Sequence, residues 1–186
     1  MSETPLRILA VCGSLRRASY NRALLRTAIE LAPPTLTVIQ HEIGDIPLYN
    51  GDVEAQGFPP PVVAFREAIR GADGLLFVTP EYNHGIPGVL KNAIDWASRP
   101  PDLPFRGKPG GLMGASDGPI GTARCQATLR QTMQTLGIRT LVHGEVLVTF
   151  APQKFSPDLQ LTDEVTRKHL ARYLESYAKW VARMRD

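Results

Sequence analysis

Cysteine is nearly missing from this chain: Cys12 and Cys125 are the only two in 186 residues. Two are too few for a disulfide framework or a four-ligand zinc set. No apolar run approaches the ~18 residues of a membrane span, and Gly74-Leu75-Leu76-Phe77-Val78 has the size of a strand. The opening Met1-Ser2-Glu3-Thr4-Pro5 lacks the charged and apolar regions of a signal peptide, so a soluble cytoplasmic protein, with no membrane partner, is the expectation. A basic stripe with interleaved aromatics is also missing, which excludes nucleic acid from the expected partners. His41, His84, His143 and His169 show no metal-ligand spacing and are joined by no acidic cluster, so no metal is expected. Only His84 falls in a suspected site; surface or packing roles are expected of the other three. Acidic residues are lacking between Glu3 and Glu30, where Arg7, Arg16, Arg17, Arg22 and Arg26 all lie. With a net charge of +3, such a segment favours an anionic ligand, although a solvated basic face gives the same composition.

What is present is an ordinary globular chain, 43% apolar and 21% charged, of a size that fits one domain over residues 1–186. Gly and Pro, 16 of each, point to elaborate loops on a packed core. There is no internal repeat. Buried-strand runs at residues 7–12, 36–39, 74–79 and 110–115 alternate with amphipathic helices near 20–31, 62–70, 87–97 and 122–136. Two short apolar runs follow, at 140–142 and 146–150, and then a helix from about Thr162 with Asp163 and Glu164 in its first turn. Its apolar face is Leu170, Leu174, Tyr177 and Val181. Continuous apolar strands alternating with helices give an α/β fold with a parallel sheet covered on both faces. In such folds ligands sit in the crevice at the carboxyl ends of the strands, where the strand order reverses.

Three motifs fall at those ends. Gly13-Ser14-Leu15-Arg16-Arg17-Ala18-Ser19-Tyr20-Asn21 follows the first strand and opens a helix. Loop N–H groups, a helix N-terminus, hydroxyls and arginines suit a phosphate, while the simpler reading has Ser19 only capping the helix. A phosphatase Cys-x5-Arg loop does not fit: five residues after Cys12 stands Ala18, with the arginines at Arg16 and Arg17. Cys12 reads as a small apolar strand residue. Thr79-Pro80-Glu81-Tyr82-Asn83-His84-Gly85-Ile86-Pro87-Gly88 forms a proline-bracketed loop in which Asn83 and Tyr82 can meet a planar ring, or in which Asn and Gly only satisfy a turn. Trp96, further along, is expected in the core. Gly114-Ala115-Ser116-Asp117-Gly118-Pro119-Ile120-Gly121 provides small residues that let a ligand approach the backbone. Together the three loops argue for one large, flat, phosphorylated ligand.

Gly13-Ser14-Leu15-Arg16 with Ser19 and Asn21, and Pro80-Glu81-Tyr82-Asn83 with the run from Pro87 to Trp96, resemble the NADPH-dependent FMN reductase family. Ala123-Arg124-Cys125-Gln126 is similar to its bacterial quinone and chromate reductase branch. The resemblance covers nearly the whole chain. It implies a flavodoxin-like three-layer sandwich, with a five-stranded parallel sheet in the order 2-1-3-4-5 and helices on both faces. It implies FMN held non-covalently, NADPH or NADH as co-substrate, and a small-molecule electron acceptor such as a quinone, chromate, an azo or nitro compound, or free flavin. The phosphate is placed on Ser14, Arg16, Ser19 and Asn21, within a loop that includes Gly13, Leu15 and Tyr20. The isoalloxazine is placed on Pro80, Glu81, Tyr82 and Asn83, beside His84, with Ser116, Asp117 and Gly118 completing the set. No catalytic side chain is expected, because the cofactor carries the chemistry. A homodimer or homotetramer is also implied, with Arg124 and Glu145 matching an interfacial network. Relatives often carry an aromatic residue where this chain has His84, which opens a pH-dependent contact there. A flavodoxin-type electron carrier without NAD(P)H activity is the alternative, although such carriers are acidic and this chain is basic.

Overall fold

The computed structural model describes residues 4–142 and 144–185, so Met1, Ser2, Glu3 and His143 of the sequence reading lie outside the described residues. The first strand, β1 (Leu6–Cys12), sends Leu6, Ile8, Ala10 and Cys12 into one core and Leu9 and Val11 into another, because successive strand side chains point to opposite faces. β3 (Gly74–Val78) divides in the same way, with Leu76 and Val78 on one side and Leu75 and Phe77 on the other. These strands, with β2 (Leu36–His41), β4 (Pro109–Ala115) and β5 (Arg139–Thr140), pair in parallel in the order β2-β1-β3-β4-β5.

One core is closed by α1 (Tyr20–Glu30), through Ala23, Leu24, Leu25 and Ala28, and by α6 (Glu164–Met184), through Leu170, Tyr173, Leu174, Tyr177, Ala178 and Val181. The opposite core is closed by α3 (Pro60–Arg70), α4 (Gly88–Ala97) and α5 (Ala123–Thr135), with Phe65, Trp96 and Leu129 among the buried contributors. The result is the three-layer sandwich the alternation requires. A short helix, α2 (Gly51–Glu54), sits in the loop after Pro47; it buries no residue, so no apolar periodicity marks it in the sequence. α6 starts two residues later than the expected Thr162. Asp163 is its N-cap, with Oδ2 accepting the Thr166 N–H at 2.8 Å, and Glu164 is its first residue.

The sheet has six strands among the described residues rather than five, because its last lane is interrupted. β5 and β6 (Val146–Val148) both pair in parallel with β4, at Pro109 and Gly110 and then at Met113 to Ala115. Between them, the Leu112 N–H donates to the Tyr173 hydroxyl at 2.8 Å instead of to a neighbouring strand. The carbonyls of Leu141 and Val146 accept from Arg130 Nη1 at 3.0 Å and Gln126 Nε2 at 3.1 Å. Side chains of α5 and α6 thus satisfy backbone groups that a continuous strand would have paired.

Tyr173 and Tyr177 reach the sheet because glycines leave room for them. Tyr177 donates to the Leu75 carbonyl at 2.6 Å, and a Cβ on Gly74 would stand 2.8 Å from its hydroxyl. A Cβ on Gly111 would stand 2.6 Å from the Tyr173 hydroxyl and 3.1 Å from Tyr177 Cε2. Full burial drives both phenols well above their ordinary ionisation range, so each stays a neutral hydroxyl, Tyr177 donating to Leu75 and Tyr173 accepting from Leu112. Arg66, 2% exposed, donates to the carbonyls of Ala97, Arg99 and Asp102 and lies 4.3 Å over the Phe58 ring, which ties the end of α4 to α3. Replacing Gly111→Ala is expected to destabilise the fold by about 1–3 kcal/mol through overpacking against Tyr173, read as a lowered urea midpoint with an unchanged m-value.

Candidate functional site

The strand order reverses between β1 and β3, whose last residues Cys12 and Val78 are paired in register. The Gly13 N–H donates to the Val78 carbonyl at 2.8 Å, and the Thr79 N–H to the Met113 carbonyl at 3.0 Å. Three strands therefore end side by side, and the loops at 13–19, 79–87 and 116–122 emerge at one rim. They enclose a cleft of about 470 Å³.

The first loop leaves the sheet under steric pressure. A Cβ on Gly13 would lie 3.1 Å from Thr79 Oγ1 and 3.2 Å from Leu90 Cδ2, so a side chain there would press on both neighbours. Among the described residues, no backbone hydrogen bond occupies the N–H groups of Leu15, Arg16, Arg17 or Ala18. Ser19 does cap α1, its Oγ accepting the N–H groups of Asn21 at 3.2 Å and Arg22 at 3.4 Å, yet it also faces the cleft. The two readings of Ser19 describe one arrangement: the hydroxyl that caps the helix lies on the cleft wall. Arg16 folds back so that Nη2 donates to the Ala18 carbonyl at 2.7 Å, leaving its other N–H groups for the cleft it lines. Arg22 clamps the loop from behind, through Nε to the Ser14 carbonyl at 3.1 Å and a two-pronged contact with Glu42 at 2.9 and 2.7 Å.

The Asn21 side chain is largely committed elsewhere. Its Oδ1 accepts the Ala115 N–H and its Nδ2 donates to the Ala115 carbonyl, both at 2.9 Å, which pins α1 to the end of β4. Its part in the cleft is thus to join two walls, with a single remaining N–H for a ligand.

At the other end, Tyr82 and Gly85 exchange backbone hydrogen bonds, and Asn83 and His84 between them have φ of +50° and +63°. Two consecutive left-handed residues make a tight hairpin turn of the mirror-image type, for which Asn is well suited. The Glu81 carboxylate is almost buried; Oε2 accepts the Cys125 N–H at 2.9 Å, at the start of α5, and Oε1 lies 3.1 Å from His84 Nδ1. Burial pushes its pKa up, but the N–H groups of Cys125 and Arg124, with His84, outweigh that and hold it below the ordinary carboxylate value. Tyr82 is half-exposed and offers a ring face beside this turn. On the third loop a Cβ on Gly118 would meet nothing within 4 Å, whereas one on Gly114 would lie 2.3 Å from the Thr79 carbonyl.

Of the residues singled out from the sequence, Ser14, Arg16, Ser19, Tyr20, Asn21, Pro80, Glu81, Tyr82, Asn83, His84, Ser116, Asp117 and Gly118 line this one cleft, joined by Ala115 and Gly121. Gly13 and Leu15 do not: Gly13 is packed beneath the loop, and the exposed Leu15 rests on Gly44. Cys12 is buried, and burial raises its thiol pKa, which suits a strand residue and not a phosphatase nucleophile. Trp96 is in the core, donating from Nε1 to the Pro47 carbonyl at 2.8 Å. Asn92 receives the Tyr49 N–H and donates to the same Pro47 carbonyl, so this helix also holds the loop before α2. No group of three or more metal-binding side chains occurs among the described residues, and no helix among them is long and apolar enough to cross a membrane.

A match to the family model described as NADPH-dependent FMN reductase spans residues 6–153, which include all three loops. The chain belongs to this family. An NAD(P)H-dependent FMN reductase of Pseudomonas aeruginosa is 50% identical over 180 residues, covering 97% of each protein. A quinone reductase of Escherichia coli is 42% identical over the full length of both. Among solved structures, a flavoenzyme NAD(P)H:(acceptor) oxidoreductase from Paracoccus denitrificans superposes with a TM-score of 0.88 at 34% identity, covering 96% of this chain and 98% of that one. In this FMN reductase family member, Gly114→Ala is expected to push the Thr79–Pro80 backbone outward. The measured result should be a loss of about 1–3 kcal/mol in stability together with weaker flavin binding in a fluorescence titration.

Proposed function

We propose that the protein is an FMN-dependent oxidoreductase that takes hydride from NADPH or NADH and delivers electrons to a small-molecule acceptor, with quinones as the leading class. The observation that carries the reading is the division of one cleft into two chemically distinct ends. At one end the Arg16 N–H, which no backbone group occupies, the Ser14 and Ser19 hydroxyls and the Arg16 guanidinium suit a phosphate. At the other end Tyr82 and the turn at residues 82–85 suit the edge and face of a planar ring. A volume of about 470 Å³ lies within the range of small-molecule sites. The donor set therefore fits FMN.

Bound flavin supplies the hydride and electron transfer, so the chain's own residues bind, orient and shape. Ser14, Arg16 and Ser19 would hold the phosphate, with Tyr20 and Asn21 closing the wall between the first and third loops. Pro80, Tyr82 and Asn83 would seat the ring, and Ser116, Asp117 and Gly118 would border it, with no side chain crowding in at Gly118. N–H donors at the ring edge would favour negative charge developing there. The breadth of the opening accounts for acceptors as different as quinones, chromate, azo and nitro compounds. The flavodoxin-type carrier would share the phosphate grip but needs an acidic docking face, and this chain has a pI near 9.0.

Self-association as a dimer or tetramer, and a cytoplasmic location, remain part of this proposal. Its support includes exposed apolar side chains on the loop before α2 and on that helix: Leu48 is 84% exposed, and Tyr49 and Val53 are exposed too. Arg124 is bonded within its own chain to His84 and not to Glu145.

Purified protein titrated with FMN should quench flavin fluorescence at a one-to-one ratio, and the bound yellow should bleach on adding NADPH. Protein that binds no FMN would sink the reading. Arg16→Ala should weaken FMN binding by about tenfold or more, the loss of a charge-assisted bond, with an unaltered circular dichroism spectrum. Because both substrates would use one opening, initial-rate plots with NADPH and a quinone should be parallel; intersecting lines would exclude alternate occupation.

A further inference from the structure

Of the charged or imidazole side chains that line the cleft, Arg16 donates to the Ala18 carbonyl, Glu81 accepts the Cys125 N–H, and His84 meets Glu81. Asp117 lines it too, and its carboxylate has neither a hydrogen bond nor an ion pair among the described residues. The loop that carries it is fastened on both sides. The Ser116 N–H donates to the Val148 carbonyl at 3.0 Å, the Ala151 N–H to the Ser116 carbonyl at 3.0 Å, and the Phe150 N–H to the Gly118 carbonyl at 3.1 Å. Phe150 makes its bond from the left-handed region, with φ of +48°, which an aromatic residue rarely adopts. The chain after β6 thus holds an unfavourable conformation at the point where it secures the third loop. With the backbone tied at residues 116 and 118, the carboxylate can move only by turning its own side chain, and the charge stays at the cleft.

The other charges there are balanced. The Arg16 guanidinium faces a phosphate in the reading above, Arg22 behind it is paired with Glu42, and Glu81 is tied to the first N–H groups of α5. The cleft lining therefore leaves one charge uncompensated beside the ring end, and that charge is negative. Walls of low dielectric concentrate such a field inside a cleft. Quinones carry no charge, and neither does the dihydronicotinamide ring that gives up hydride. Chromate and sulfonated azo dyes are anions, and they meet a like charge on a loop that cannot withdraw.

We propose that Asp117 is a specificity-determining residue that turns the site against anionic acceptors and toward neutral ones, an inference that rests on the reading of the cleft as a flavin site. Repulsion from a single partly hydrated carboxylate is modest, so it ranks acceptors by charge and does not bar the anions outright.

The flavin-loaded enzyme tests this with a naphthoquinone and its sulfonate, two acceptors on one frame that differ by a charge. Their intrinsic reactivities cancel when the ratio of kcat/KM, sulfonate over neutral, is compared between proteins. In Asp117→Asn this ratio should rise about two- to fivefold, the worth of an exposed ionic contact. Asp117→Glu keeps the charge and should stay near the parent ratio. Added salt should lift the parent ratio toward that of Asp117→Asn, because screening removes the field. A second readout needs no turnover: naphthalenesulfonate, colourless and not reducible, titrated onto the oxidised holoprotein and followed by flavin absorption, should bind about two- to fivefold more tightly to Asp117→Asn. A ratio or an affinity unmoved in Asp117→Asn, or a Glu variant that behaves like the Asn variant, overturns the role of Asp117 and leaves the functional reading standing. Should the variants not fold, a parent ratio indifferent to salt overturns it on the parent protein alone. A protein that binds no FMN overturns this inference and the functional reading together.

Discussion

The main-chain bonds that carry Gly13 onto Val78 and Thr79 onto Met113 hold three strand ends level. Without that alignment, the hydroxyls and arginine of the first loop, the turn of the second and the small residues of the third would open at different depths. A parallel sheet buried on both faces supplies it, because each strand pairs evenly with its neighbour and the helices leave only the rim for loops. Asn21 reinforces the alignment from above the sheet: its amide takes both backbone groups of Ala115 and closes the gap between α1 and β4.

The same economy of space governs the interior. Gly74, Gly110, Gly111 and Gly114 sit where a side chain would collide with a tyrosine hydroxyl, a methionine, an isoleucine, a threonine or the Thr79 carbonyl. Tyr173 and Tyr177 enter these spaces and hydrogen-bond to the backbone of Leu112 and Leu75. The last lane of the sheet can then be broken into β5 and β6 without leaving the Leu112 N–H or the Leu141 and Val146 carbonyls unpaired. Breaking it there lets the chain after β6 return to the third loop, where Phe150 and Ala151 donate to the carbonyls of Gly118 and Ser116.

Charge is distributed unevenly between the two ends of the cleft. The phosphate end is cationic, with Arg16 open to the ligand and Arg22 neutralised by Glu42 while it steadies the Ser14 carbonyl. At the ring end Glu81, the α5 N-terminus, His84 and Arg124 compensate one another. A cationic grip thus stands opposite a set of groups bonded to one another.

The parallel α/β sandwich and its strand order were legible from alternating apolar runs and from the family resemblance, and the three loops from the small, polar and proline residues at the strand ends. Such features are local, recorded in periodicity and in turn chemistry. The interrupted sixth strand was not, since a tyrosine standing in for a strand partner leaves no pattern in the strand itself. Nor were the roles of individual side chains: Asn21 looks like a ligand donor until its partner at Ala115, far along the chain, is known, and Leu15 turns outward although its neighbours face the cleft. Glu81, placed at the ring by resemblance, also has its carboxylate tied to the Cys125 N–H at the start of α5, and Arg66, which no motif marks, is buried against the carbonyls of Ala97, Arg99 and Asp102. The sequence by itself determined which segments form and which residue types gather at the rim. The tertiary structure decided which of those atoms are already bonded and which are free, because hydrogen bonds between distant segments exist only once the sheet has brought them together.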